Sequence, residues 1–269
     1  MNWIAIGLAA SAGALAAVIA SLVVRKPKEK GILYASVFVV LFAVLNALAK
    51  EFLLPPLSLP FELAKVERAF LAIPAYQAIK LHDPAAYDAV VADLRSGLKQ
   101  GLAEDALIGQ IKPRIEQVVV QRLPKSSDNA VVGYMKVVVR EIRELNRQNP
   151  ELCYKFLFPQ QYGAINIQKH VPKELLEADL SALALVIETS GRNPQPLPTE
   201  AEVGADLELA VTALLEIHGE AAVAALQNLH DPAVSKATGC TLTADLYDQI
   251  LSLPAERSGK VLRFMLSQA

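Results

Sequence analysis

Four imidazoles and two thiols carry most of the reactive chemistry available to this 269-residue chain: His82, His170, His218, His230, Cys153 and Cys240. A thiol beside an imidazole makes a nucleophile and its base. Cys153 and His170 are the nearest such pair in sequence, but a separation of 17 residues across a helix break fixes no distance between them. His218-Gly219-Glu220 has the H-x-E spacing of zinc deaminases, without the P-C-x-x-C that completes that site. The chain has no G-x-S-x-G elbow, no H-E-x-x-H, no glycine-rich phosphate loop and no C-x-x-C. No catalytic residue, metal or cofactor is therefore expected.

The densest unusual chemistry is aromatic. Tyr154, Phe156, Phe158 and Tyr162, four of the chain's 16 aromatic residues, crowd into one short segment with Pro159. Such a segment either forms a ligand cleft or protein contact, or fills a gap between helices. Cys153 opens it. Cys153 and Cys240 leave no thiol over and sit at a helix start (Asn149-Pro150) and in the turn-like TGCT, so they are candidates for a disulfide across a long loop. Two separately buried thiols are the alternative.

These residues need a scaffold, and the scaffold reads as all-α. At 20%, charged residues fall below the roughly 25% of an average soluble protein, because apolar residues pile up at the N-terminus. Residues 3–24 are uncharged, as are 32–49, which extend to about 53 before Pro55-Pro56. Each is long enough to cross a bilayer. With the basic loop 25–31 between them they predict a two-helix transmembrane hairpin over 1–56 and a lipid-bilayer partner. A cleaved signal peptide fits less well, because the tail Met1-Asn2 carries no basic side chain. Arg25, Lys26, Lys28 and Lys30 place that loop in the cytoplasm. The expected location is then the bacterial inner membrane with the following domain periplasmic; a cytoplasmic domain is the alternative. Small residues Ala5, Ala9, Gly13, Ala17 and Ser21, with a second row Ala12, Ala16 and Ala20, suit close helix packing, and Asn46 should face a helix.

Residues 57–269 show helical periodicity at about 62–80, 84–99, 103–122, 128–147, 173–189, 200–217, 219–229 and 255–267. Asp83-Pro84, Asn149-Pro150 and Asp231-Pro232 read as capped helix starts, and Thr199 with Glu202 as a capping box. Pro74 and Pro113 should kink or interrupt their helices. The linker-like 191–198 divides the domain into two possible lobes. Leu81-His82-Asp83-Pro84-Ala85 recurs at Leu229–Ala233, read as one capping solution used twice. Of 26 basic and 28 acidic residues, 21 and 26 lie after residue 56, a net of −5. That balance disfavours nucleic acid, although Arg140, Arg143 and Arg147 form the one local basic row. The combined expectation is a non-enzymatic helical protein that binds another protein, or itself, as an assembly subunit, immunity-type inhibitor or scaffold. An envelope hydrolase acting on peptidoglycan or lipid is the alternative.

Overall fold

Proline punctuates this chain into helices. Pro74, Pro84, Pro150 and Pro159 each open a new helix, where a missing N–H removes no internal bond. The computed structural model describes the backbone of residues 8–12, 14–17, 31–49, 54–231 and 233–268, and the side chains of these except 31–37, 54–59, 62, 104 and 105. After a short helical stretch within 8–17 come α1 (Gly31–Leu48), α2 (Leu54–Leu71), α3 (Pro74–His82), α4 (Pro84–Lys99) and α5 (Glu104–Arg122). Then follow α6 (Asp128–Gln148), α7 (Pro150–Leu157), α8 (Pro159–Tyr162), α9 (Lys173–Arg192), α10 (Glu200–His218), α11 (Glu220–Gln227), α12 (Lys236–Leu251) and α13 (Ala255–Ser267). Helix accounts for 84% and no strand occurs among the described residues, so the protein is all-α.

The chain divides into two units, Met1–Ala69 with Val91–Ile111, and Phe70–Val90 with Lys112–Ala269. In the first, Ala12, Ala16, Ala49, Leu63, Leu94 and Ile111 are buried. Ala9, Ala17 and Asn46 are half-buried. Ala5, Gly13 and Ser21 lie outside the described residues, as do Arg25, Lys26, Lys28 and Lys30 with the topology they were read to set.

The expected inner-membrane location with two spans is corrected here. Among the described residues no helix is long and apolar enough to cross a membrane. The first run is described only within 8–17. The second contributes α1, whose 18 residues reach about 27 Å at 1.5 Å each, short of a roughly 30 Å hydrocarbon core. The periplasmic assignment, which rested on those spans, goes with them.

The second unit is built on α6. Ser127 caps it by accepting the Ala130 N–H at 3.3 Å. Asn149 closes it and caps α7 in turn, accepting the Glu151 N–H at 2.9 Å. Val131, Ile142 and Leu145 on α6 are wholly buried, each stabilising the fold by about 1.5–3 kcal/mol relative to exposure. Helices α7, α9, α12 and α13 pack around this stripe. Glycine permits three of the unit's closest approaches. Gly191 on α9 meets the His82 side chain, Gly239 on α12 meets the Tyr154 hydroxyl, and Gly259 on α13 meets Asp128 at the start of α6. Beside that last crossing Arg263, 4% exposed, donates to Asp128 Oδ1 at 3.0 Å and to the Pro196 carbonyl at 2.8 Å. It ties α13 to α6 and to the segment between α9 and α10.

A β-carbon on Gly259 would stand 2.5 Å from the Asp128 Cα, a backbone atom that cannot swing away. Gly259→Ala should therefore lower the unfolding free energy by about 2 kcal/mol in urea titration. Gly133→Ala in α6, where nothing lies within 4 Å, should raise it by about 0.5–1 kcal/mol. Equal effects of the two would contradict this packing.

Some elements differ from expectation. The periodicity at 62–80 covers two helices, separated at Ala72–Ile73 ahead of Pro74. Pro113 lies inside α5 without ending it. Asp83 caps α4, accepting the Ala86 N–H at 3.2 Å. Asp231 instead holds a turn, through the Ala233 N–H at 2.8 Å, and the next helix waits for the Ser235 cap. TGCT is not a turn but part of α12.

Candidate functional site

The aromatic segment forms a row because α7 and α8 run nearly in phase. Phe158 precedes a proline and leaves the helical region, and α8 adds one turn before Gly163 ends it at φ 84°. Tyr154, Phe158 and Tyr162 thereby share one side, with ring centroids 5.4 Å (Tyr154–Phe158), 5.5 Å (Tyr154–Tyr162) and 6.4 Å (Phe158–Tyr162) apart. Phe156 points elsewhere, half-buried against the same core. His230 completes the row, 4.7 Å from Phe158 and 6.1 Å from Tyr162. Lys236 lies 5.0 Å over Tyr162 and 5.8 Å over Tyr154 and pairs with Glu151. Tyr154, 1% exposed, donates to the Leu229 carbonyl at 2.9 Å. Burial, then the nearby Tyr162, raises its phenol pKa. Ring faces that would receive a ligand's cation thus already hold the chain's own ammonium.

Cys153 and Cys240 are joined by a disulfide between α7 and α12, with Cα atoms 6.4 Å apart, and both are fully buried. Cys153 is therefore not a free thiol for His170. Among the other histidines, His218 Nε2 is 2.8 Å from Asp245 Oδ2. No group of three or more His, Cys, Asp or Glu residues suited to a metal ion occurs among the described residues.

The basic row on α6 borders two open depressions. One of about 460 Å³ is lined by Arg140, Arg143, Glu144, Arg147 and the start of α9; one of about 270 Å³ is lined by Arg143, Asn146, Arg147 and α12. Most of this charge is matched. Arg143 donates to Asp245 at 2.7 Å and also pairs with Asp248. Arg147 holds both Glu144 oxygens, at 3.0 and 2.7 Å. Arg140 is exposed.

A group of acids whose pKa values burial raises sits between α6 and α9. Glu141 is 1% exposed, and its Oε1 has no hydrogen-bond partner. Burial, then the charge of Asp179, pushes its pKa up to about 8. Burial pushes Asp179 up to about 6. Burial, then Asp179 and Glu141, raises the Tyr134 phenol as well.

A second kind of surface lies on α10. Its inner side buries Val203, Ala210 and Leu214, while Leu209 and Ile217 stand 52% and 60% exposed. Glu208, Glu216 and Glu220 are exposed around them. Asp206 is paired with Arg257, whose Nε is 2.8 Å away. Glu202 closes the capping box with Thr199, whose backbone N–H and then hydroxyl hold that carboxyl below the usual range.

Sequence reasoning brought Tyr154, Phe158, Tyr162, Cys153 and Cys240 forward, and the structure places them together. It missed His230 and Lys236, which join the row from α12 and the turn before it. It also missed Leu209 and Ile217, although leucines on both sides of α10 were a usable signal. No family model, curated protein or solved structure matches the chain.

Proposed function

We propose that this protein acts by binding another protein, through the outer face of α10 and the start of α11, as an assembly subunit, inhibitor or scaffold without catalytic chemistry of its own. The observation that supports this is the exposure of Leu209 and Ile217, which with Ala213 make a ridge at four-residue spacing beside the packed stripe of Val203, Ala210 and Leu214. Exposed apolar side chains ringed by charged ones, here Glu208 and Glu216, have the make-up of a contact with an apolar centre and a polar rim. Two of the reactive groups also have structural occupations: Cys153 is bonded and His218 is held by Asp245.

The double variant Leu209→Ser/Ile217→Ser should keep its stability within about 0.5 kcal/mol, because both sites are exposed. In an affinity pull-down with the full chain, a partner identified by mass spectrometry should be retained by the native protein and reduced at least about tenfold with the variant, a loss near 1.4 kcal/mol. Equal recovery from both, or no specific partner from the native protein, would overturn the reading.

A further inference from the structure

We propose that the partner docks on α10 as a cationic amphipathic helix; this rests on the protein-binding reading and adds its chemistry. Residues 193–235 contain no Lys or Arg but seven acids: Glu200, Glu202, Asp206, Glu208, Glu216, Glu220 and Asp231. Two of these are engaged, Asp206 by Arg257 and Glu202 by its cap. Glu208, Glu216 and Glu220 are exposed and take part in none of the ion pairs among the described residues. Several cations elsewhere in the same unit are answered locally: Arg143 by Asp245 and Asp248, Lys236 by Glu151, and Arg263 by Asp128. On the α10 face three exposed carboxylates stand together with no Lys or Arg in the surrounding segment.

Its relief suits a helix. On an α-helix, residues three, four and seven apart share a face. Leu209 therefore stands among Ala205, Thr212, Ala213 and Glu216. Ile217 lies two turns further on, about 12 Å along the axis. Ala213 lies between the two apolar anchors, and Ala201, Ala205, Ala221 and Ala224, exposed and short, flank them, so a second helix can come close. A docking helix needs apolar residues at three-to-four spacing to cover Leu209 and Ile217, and Lys or Arg beside them to meet Glu208, Glu216 and Glu220. Opposite charge across a rim chiefly speeds encounter and excludes wrong partners.

The test titrates the full chain, by fluorescence anisotropy, with three labelled peptides of about 18 residues, long enough for about one turn on either side of the contact. One is an amphipathic helix of Leu and Lys, the second its Leu/Glu counterpart, and the third the Leu/Lys composition scrambled to destroy the helical period. The Leu/Lys helix should bind at least about tenfold more tightly than either of the others, and more weakly as salt is raised. Glu208→Gln/Glu216→Gln/Glu220→Gln should weaken it at least about fivefold and flatten the salt dependence. Leu209→Ser/Ile217→Ser should weaken it as much with the salt dependence kept. A Leu/Glu helix that binds as well, a scrambled peptide that binds as well, or binding untouched by these variants would each overturn the cationic-helix proposal. So would no peptide binding while a partner is still recovered in the pull-down, and that result would leave protein binding itself standing.

Discussion

Replacing both Cys153 and Cys240 by alanine should lower the melting temperature by about 10 °C. The bond joins residues 87 apart, and fixing such a loop in the unfolded chain is worth about 4–5 kcal/mol in the chain-entropy view. In a unit of this size each kcal/mol moves the midpoint by roughly 2–4 °C. The cost falls on one joint, where α7 meets α12 and where Gly239 already admits the Tyr154 hydroxyl. Melting by circular dichroism, with and without the double substitution, reads the effect. A midpoint within about 2 °C of the native protein would show that the Cys153–Cys240 bond restrains little that packing does not already hold.

The second large effect is on pH dependence. Glu141 carries a pKa of about 8 in the folded protein, raised first by burial and then by Asp179. Unfolded, it returns to the ordinary value of 4.5. Between those limits the folded state holds a proton that the unfolded state has released, so unfolding free energy falls as pH rises. The contribution is complete below pH 4.5 and is lost as pH passes 8. Over that window the loss is about 5 kcal/mol. Asp179, raised to about 6 by burial, acts in the same direction at lower pH. Urea denaturation from pH 5 to pH 9 should show stability dropping up to about pH 8 and levelling beyond it, and Glu141→Gln should remove most of the drop above pH 6. The control matters because a buried amide has its own unmet hydrogen bonds; the slope against pH is the readout, not the absolute stability. A native protein whose stability is flat from pH 6 to pH 9 would contradict a Glu141 buried without a partner.

Much of the helical framework was legible before the structure. The bounds of α4 and α13 follow directly from periodicity and proline placement, and the Thr199–Glu202 capping box is present. Legibility failed where tertiary contacts outweigh local preference. Helix α12 begins KATGCTLT, with Gly, Cys and Thr that form helices poorly. It holds because Ser235 caps it, because the Cys153–Cys240 bond and buried Leu242, Ala244 and Ile250 fix it to the core, and because Gly239 is small enough to face Tyr154. The repeated LHDPA segment misleads for the opposite reason. Its two copies have the same capping chemistry, but only the first meets a partner such as Arg122, which pairs with Asp83 at 2.9 Å.

The aromatic segment shows the same limit. Its four rings stand out in the sequence, but Lys236 and His230, more than 65 residues further along the chain, decide that the row is filled from within. The face on α10 was hidden by a different effect. Leu209 and Ile217 fit the helical period as readily as Val203, Ala210 and Leu214, and composition alone does not say which side of an apolar helix is covered. Packing decides that, by placing α12 and α13 against one side only.

Site-specific photocrosslinking from α10 tests the binding reading most directly. A photoreactive residue placed at 209 or 217 of the full chain, in the cells that make it, should give adducts with a different polypeptide. The same residue at 173, exposed at the start of α9, should give none. Adducts equally abundant from all three positions, or absent from 209 and 217, would contradict a partner seated on this face.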